Sequence, residues 1–264
     1  MGLTTGDGPL GRPPTSANYE IDGPKHKLFF NDFPRRVRAR LGDEEVLDTT
    51  RGKLLHETGI LPRLYVPRGD LRDELLEATD HTTHCPFKGD ASYWSVRAGD
   101  RVAENAVWAY VTPLEAAVWL DGYASVYFDE MDEWFDEDEP IRGHLRDPYH
   151  RVDARRTSYP IRVSIDGTVV AESSASVVVS ETGLPNRWYI PPADVKTKLL
   201  TTSEKKTHCP YKGDAAYFSA TIGDARFDDV AWAYDDPFED AAKVAGYLSF
   251  DGDEVTTEIE GHPV

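Results

Sequence analysis

Alternation of apolar and polar residues is the dominant pattern along this chain. Val37-Arg38-Ala39-Arg40-Leu41 places an apolar side chain at every second position, as a strand buried on one face requires. Gly42-Asp43 then turns the chain into Glu45-Val46-Leu47. The arrangement returns as Ile161-Arg162-Val163-Ser164-Ile165, an Asp166-Gly167 turn, and Thr168 to Ala171. An Asp-Gly pair between alternating runs is a strong hairpin signal. Third strands are expected over Lys53 to His56 and Ala175 to Val179, and a fourth over Arg63 to Val66. Ala91 to Arg97 and Val107 to Tyr110, dense in aromatic and β-branched residues, predict two more. Thr112-Pro113-Leu114-Glu115 supplies a capping hydroxyl, a proline at the first helical position and a glutamate at the third, and Asp236-Pro237-Phe238-Glu239 repeats this. One α-helix is therefore expected at each place, ended by Gly122 or Gly246. A shorter helix is expected after Pro67 and after Pro191.

These paired elements belong to a repeat. His84-Cys85-Pro86-Phe87-Lys88-Gly89-Asp90-Ala91 returns as His208-Cys209-Pro210-Tyr211-Lys212-Gly213-Asp214-Ala215, an offset of 124 residues (84 to 208). The same offset pairs Glu57-Thr58-Gly59 with Glu181-Thr182-Gly183, Arg63 with Arg187, Tyr65 with Tyr189, and Tyr93 with Tyr217. It also pairs Trp108-Ala109-Tyr110 with Trp232-Ala233-Tyr234. One unbroken offset means that loop lengths are kept as well as residue types. The expected organisation is an N-terminal extension (1–35), a first copy (36–128), an acidic connector (129–157) and a second copy (158–264). Within the extension, Lys27-Leu28-Phe29-Phe30 carries enough apolar area to dock on a domain. Met131, Trp134 and Phe135, set among the carboxylates from Asp129 to Glu139, imply a strand extension and then a connector that packs. The fold class is mainly β, with some helix. Two tandem copies of a small curled-sheet or barrel-like domain are expected, each with one α-helix in its C-terminal half.

Composition narrows the functions. Hydrophobic residues make up 40% and charged residues 29% of 264, enough apolar content for a core. No apolar run approaches the roughly 20 residues that cross a bilayer, and Met1 to Thr15 lacks the apolar centre of an export signal, so a cytoplasmic protein is expected. The net charge of -18, from 47 acidic against 29 basic residues, opposes nucleic acid and acidic membrane surfaces as partners. Cys85 and Cys209 occupy matched positions in the two copies, which argues for reduced thiols and against a disulfide. With no CxxC pair, no histidine cluster at ligand spacing and no P-loop, neither a metal nor a cofactor is expected.

The densest chemistry lies between Thr83 and Tyr93, and again between Thr207 and Tyr217. Each stretch holds an imidazole (His84, His208), a thiol (Cys85, Cys209), an ammonium (Lys88, Lys212) and an aromatic hydroxyl (Tyr93, Tyr217) on a loop entering a strand. The same residues also read as a buried small side chain and a solvated turn. A turn needs no lysine, yet both copies keep one between a proline and a glycine. Glu57 and Glu181 end apolar strands where a carboxylate faces either a pocket or an ion pair with Arg63 or Arg187. Tyr65 and Tyr189 share a strand face with those arginines. Trp108, Tyr110 and Tyr123 have the spacing of core residues. Adjacent His84 and Cys85 point oppositely if they lie on a strand, which excludes a dyad between them.

The motif T-H-C-P-[FY]-K-G-x-A-x-Y, here Thr83 to Tyr93 and Thr207 to Tyr217, followed by Trp108-Ala109-Tyr110 and Trp232-Ala233-Tyr234, resembles the signature of the DUF427 family. Arg146-Asp147-Pro148-Tyr149-His150-Arg151-Val152-Asp153 resembles the connector of its long members. The resemblance implies a small β-tent or barrel-like domain and carries no defined reaction. A nucleotidyltransferase-like label is sometimes attached to the family. The Gly-Ser and paired-aspartate pattern of that chemistry is absent here, as are the CxxC pairs of metal-binding β-tent proteins. Three functions remain open. One is a module binding a small molecule in one pocket per domain, through Glu57, Arg63, Tyr65, His84, Cys85, Lys88 and Tyr93 and their counterparts. Another is an enzyme in which Lys88 and Lys212 act with Glu57 and Glu181 as bases and Cys85 and Cys209 as nucleophiles. The third is a non-catalytic scaffold whose two domains pair with one another.

Overall fold

The computed structural model describes residues 23–264 together with Ser16 and Asn18, so the tip of the extension lies outside the described residues. The chain divides between Asp147 and Pro148 into two compact units. Mainly β structure in repeated domains is what forms. In the first unit the strands are β1 (Leu28–Asp32), β2 (Val37–Leu41), β3 (Glu44–Thr49), β4 (Lys53–Glu57), β5 (Ile60–Pro67), β6 (Leu76–Cys85), β7 (Gly89–Ala98), β8 (Arg101–Ala109), β9 (Tyr123–Val126), β10 (Glu133–Asp136) and β11 (Glu139–Ile141). A seven-stranded sheet runs in the order β1-β4-β5-β9-β8-β7-β6, and a smaller one runs β11-β10-β2-β3. Strand β1 is drawn from the expected extension, and pairs from Leu28 opposite Glu57 to Asp32 opposite Lys53. Strands β10 and β11 are drawn from the expected connector, and Trp134, buried on β10, donates its indole N–H to the Phe128 carbonyl at 2.9 Å.

Alternation sends neighbouring residues of the long sheet to opposite faces. Leu54, Val66, Trp94, Val107 and Ala124 face one core, shared with Val37, Ala39, Val46 and Leu47 of the small sheet. Leu55, Tyr65, Tyr93 and Trp108 face the other, together with Tyr110, Ala117 and Leu120. Phe30 from one edge strand and Cys85 from the opposite edge pack against that second cluster. Lys88 in the turn between β6 and β7 bonds directly to Glu57 of β4 across the intervening β5, β9 and β8, so the sheet curls and this face is concave.

The second unit repeats the plan with β12 (Val152–Arg156), β13 (Ile161–Ile165), β14 (Thr168–Ser173), β15 (Val177–Glu181), β16 (Arg187–Tyr189), β17 (Leu200–Cys209), β18 (Gly213–Ile222), β19 (Ala225–Tyr234), β20 (Leu248–Phe250), β21 (Val255–Ile259) and β22 (His262–Pro263). Here β12-β15-β16 and β17-β18-β19-β20 are joined by reciprocal hydrogen bonds between Ile190 and Leu248 of 2.8 and 2.9 Å, and β14-β13-β21-β22 forms the small sheet. The Asp166-Gly167 turn uses left-handed backbone at both residues, φ 46° and 73°, as a two-residue hairpin demands.

The expected α-helices are replaced by 3-10 segments, Glu115–Leu120 and Glu239–Val244. No side chain caps either one, and Ala117 breaks the first with φ -130° and ψ 18°. The amide that would begin each helix is used elsewhere, Leu114 donating to the Lys88 carbonyl at 3.0 Å and Phe238 to that of Lys212 at 3.1 Å. Six residues are too few to recover the cost of nucleating an α-helix. Shorter 3-10 turns follow Pro67 (Arg68–Asp70) and Pro191 (Pro192–Asp194). Among the described residues no helix is long and apolar enough to cross a membrane.

Candidate functional site

The turn between β6 and β7 builds the site. Pro86 and Gly89 set a reversal in which the Lys88 amide donates to the Cys85 carbonyl at 3.2 Å. Gly89 is left-handed, with φ 105°, and a Cβ there would lie 3.4 Å from the Thr112 carbonyl oxygen. In the second unit Gly213, with φ 99°, would meet the Asp236 oxygen at 3.2 Å. Glycine is thus required by backbone conformation and by a close approach of chain. The reversal sends Lys88 across the concave face, where its ammonium donates to Glu57 Oε1 at the end of β4. Lys212 donates to Glu181 Oε1 in the same way. Lys88 is 7% exposed and Glu57 3%. These carboxylates are partnered by the motif lysines, and Arg63 and Arg187 have other surroundings.

A histidine completes each pair. His26 Nε2 stands 3.4 Å from Glu57 Oε2, and His150 Nε2 stands 3.6 Å from Glu181 Oε2. The aromatic residue of the motif holds the imidazole, Phe87 stacking on His26 at 3.8 Å and Tyr211 packing against His150 at 4.2 Å. Tyr110 lies beneath the ammonium, with its ring centre 5.4 Å from Lys88 Nζ. Burial pushes the hydroxyls of Tyr65, Tyr110, Tyr189 and Tyr234 well above the usual phenol range, so they remain protonated. Burial also pushes the Glu181 carboxyl up, but hydrogen bonds and charge from His150 and Lys212 outweigh it and bring the group down to about 2. Cys85 and Cys209 are partly exposed free thiols at the rim of the same clusters.

Of the residues singled out in the sequence, Glu57, Tyr65, Cys85, Lys88 and Tyr93 converge on the concave face, as do Glu181, Tyr189, Cys209, Lys212 and Tyr217. The Tyr93 hydroxyl is 2.9 Å from Thr83 Oγ1, and that of Tyr217 is 3.2 Å from Thr207 Oγ1. His84 and His208 lie apart. Each belongs to a strand position opposite to that of the cysteine and meets an aspartate outside, Asp90 at 2.6 Å and Asp214 at 2.7 Å. Arg63 is exposed, whereas Arg187 pairs with Asp251 at 2.7 Å. Among the described residues no three His, Cys, Asp or Glu side chains are grouped to hold a metal. The sequence reading missed His26, His150 and the site role of Tyr110 and Tyr234. Its signal was present, because Pro24-Lys25-His26-Lys27 and Pro148-Tyr149-His150-Arg151 keep the offset of the repeat.

Two segments, residues 30–137 and 153–261, match the family described as domain of unknown function (DUF427). The chain is a tandem DUF427 protein. No curated protein matches it. In this DUF427 chain the cysteine, aromatic, lysine and glycine of the shared motif have distinct positions: a thiol at the rim, a ring against the histidine, an ammonium on the glutamate, and a left-handed turn closely approached by backbone.

Proposed function

We propose that the DUF427 unit is a small-molecule-binding module whose ligand enters the concave face of the curled sheet. One observation carries this reading: a Lys–Glu–His constellation beside a cluster of buried tyrosines recurs at matched positions in both units. Convergent polar groups within an aromatic wall are the usual anatomy of a ligand site. Catalysis by a free amine and a glutamate base is less favoured, since each lysine is already committed to the carboxylate that would serve as its base. A thermal-shift screen of the whole chain against primary metabolites and cofactors tests the reading. At least one compound should raise the melting temperature by several degrees, and Lys88→Met/Glu57→Leu with Lys212→Met/Glu181→Leu, which leave no buried charge unpaired, should abolish that shift. A screen without any hit, or a hit indifferent to both changes, would remove the proposal.

A further inference from the structure

The two concave faces differ at one end. In the second unit a cleft of about 460 Å³ opens there, lined by Lys205, Tyr217, Asp229, Trp232, Asp251 and Asp253. A larger hollow of about 610 Å³, beside Pro160 and Glu260, has no aromatic wall, and neither hollow is lined by the paired lysine or its glutamate. Tyr217 and Trp232 form the floor of the smaller cleft. The Trp232 indole N–H donates to the Tyr189 hydroxyl at 3.1 Å, which links the cleft to the buried constellation.

In the register of the repeat, Tyr217 corresponds to Tyr93, Trp232 to Trp108, Asp229 to Asn105 and Asp251 to Tyr127. In the first unit Tyr127 packs on Trp108 with ring centres 4.3 Å apart, beside Tyr93. Those two aromatics are accordingly only 7% and 5% exposed. In the second unit the position belongs to an aspartate, turned toward Arg187, and Tyr217 and Trp232 are left partly exposed.

Both bared rings already attract cations. Lys205 Nζ lies 4.4 Å from the centre of Tyr217 and 3.6 Å from Asp229, and the Arg187 guanidinium lies 5.8 Å from the centre of Trp232. A cation over an aromatic face gains from the ring quadrupole, most of all over tryptophan. The changes Asn105 to Asp229 and Tyr127 to Asp251 thus remove a plug and add two carboxylates above an aromatic floor.

Resting on the small-molecule reading and sharpening it, we infer that the second unit carries the open cleft, that Tyr127 closes its counterpart in the first, and that the ligand is an organic cation with an aromatic body. Its ring stacks on Trp232 or Tyr217 while its ammonium meets Asp229 or Asp251 and displaces Lys205. Carboxylates and phosphates are repelled by the same acidic wall.

Calorimetric titration of the full chain tests this, with tyramine as probe and p-cresol and 4-hydroxyphenylacetate as neutral and anionic probes of the same body. Tyramine should bind once per chain, p-cresol at least about tenfold more weakly, and the anion without measurable heat. Asp251→Tyr, which installs the residue that the first unit accommodates, should abolish tyramine binding with an unchanged melting temperature; the milder Asp251→Asn should weaken it. Tyr127→Asp should create a second tyramine site. Two sites in the wild-type chain, or binding that survives Asp251→Tyr, would overturn the open-and-closed assignment. If p-cresol or the anion binds as tightly as tyramine in a manner sensitive to Asp251→Tyr, the ligand class is wrong while small-molecule binding stands. If none of the three binds, the inference fails, and the thermal-shift screen decides separately whether the broader reading fails with it.

Discussion

At the scale of single residues, the buried lysine–glutamate pair dominates. Removing two charges from water is costly, and the pair survives burial only because each partner satisfies the other. Losing one partner is therefore worse than losing both. Lys88→Met should destabilise the first unit by about 3–5 kcal/mol, and adding Glu57→Leu should restore most of that loss. Urea denaturation of the two variants measures it, and a double variant no more stable than the single one would refute the argument. Acid should act on the same constellation in the second unit. The Glu181 carboxyl is held near 2 in the folded chain and returns to the ordinary glutamate range on unfolding, so the unfolded state binds its proton first. Its contribution is fully present above about pH 4.5 and is lost as the pH falls toward 2, on the order of 3 kcal/mol in all. Glu181→Gln should flatten that part of the stability profile; equal slopes in wild type and variant would exclude the assignment. The lysine was legible in the sequence because a turn does not need one. The histidines were not recognised because each precedes the strands that alternation reveals, on a stretch without hydrophobic periodicity.

At the scale of elements, alternation succeeded where a strand has one buried face and failed where it has none. Strands β2 and β13 are buried at every second position and were foreseen together with their hairpin partners β3 and β14. Strands β6 and β17 are ten-residue edge strands, polar along nearly their whole length, and looked like loops. Polar, bulged edges discourage pairing with other chains, and both strands lose register midway, between Ala78 and Thr82 and between Thr202 and Lys206. The helix signals misled for a different reason: proline and acidic residues at those positions start a 3-10 turn as readily, and the amides they would cap are bound to the lysine turn. That turn supports a graded prediction. Gly213 and Gly167 are both left-handed, but an added Cβ meets backbone oxygen at Gly213 and open space at Gly167. Gly167→Ala should cost about 1 kcal/mol from conformation alone, and Gly213→Ala about 2–3 kcal/mol. Equal costs in chemical denaturation would mean that the close approach to Asp236 is relieved by movement of the chain.

For the molecule as a whole, the constant offset revealed the duplication, whereas β1 and β12 carry unequal sequences, LFFND and VDARR, in equivalent strands. What made them equivalent is their pairing with β4 and β15, a long-range property that no local pattern encodes. Each unit closes two apolar clusters from its own strands: one between its two sheets and one inside its curl. A domain with a complete core can unfold cooperatively by itself, so heating should give two overlapping transitions and not one. Val46 and Val170 are matched, fully buried positions in the two units. Each Val→Ala change should cost roughly 2 kcal/mol through lost contact and a small cavity, lowering one transition by several degrees. Scanning calorimetry should show Val46→Ala moving one component and Val170→Ala the other, with the double variant displaced additively in both. If either single change instead shifts the entire endotherm, the duplicated units melt as one body, and the stability effects argued above for each would have to be shared between them.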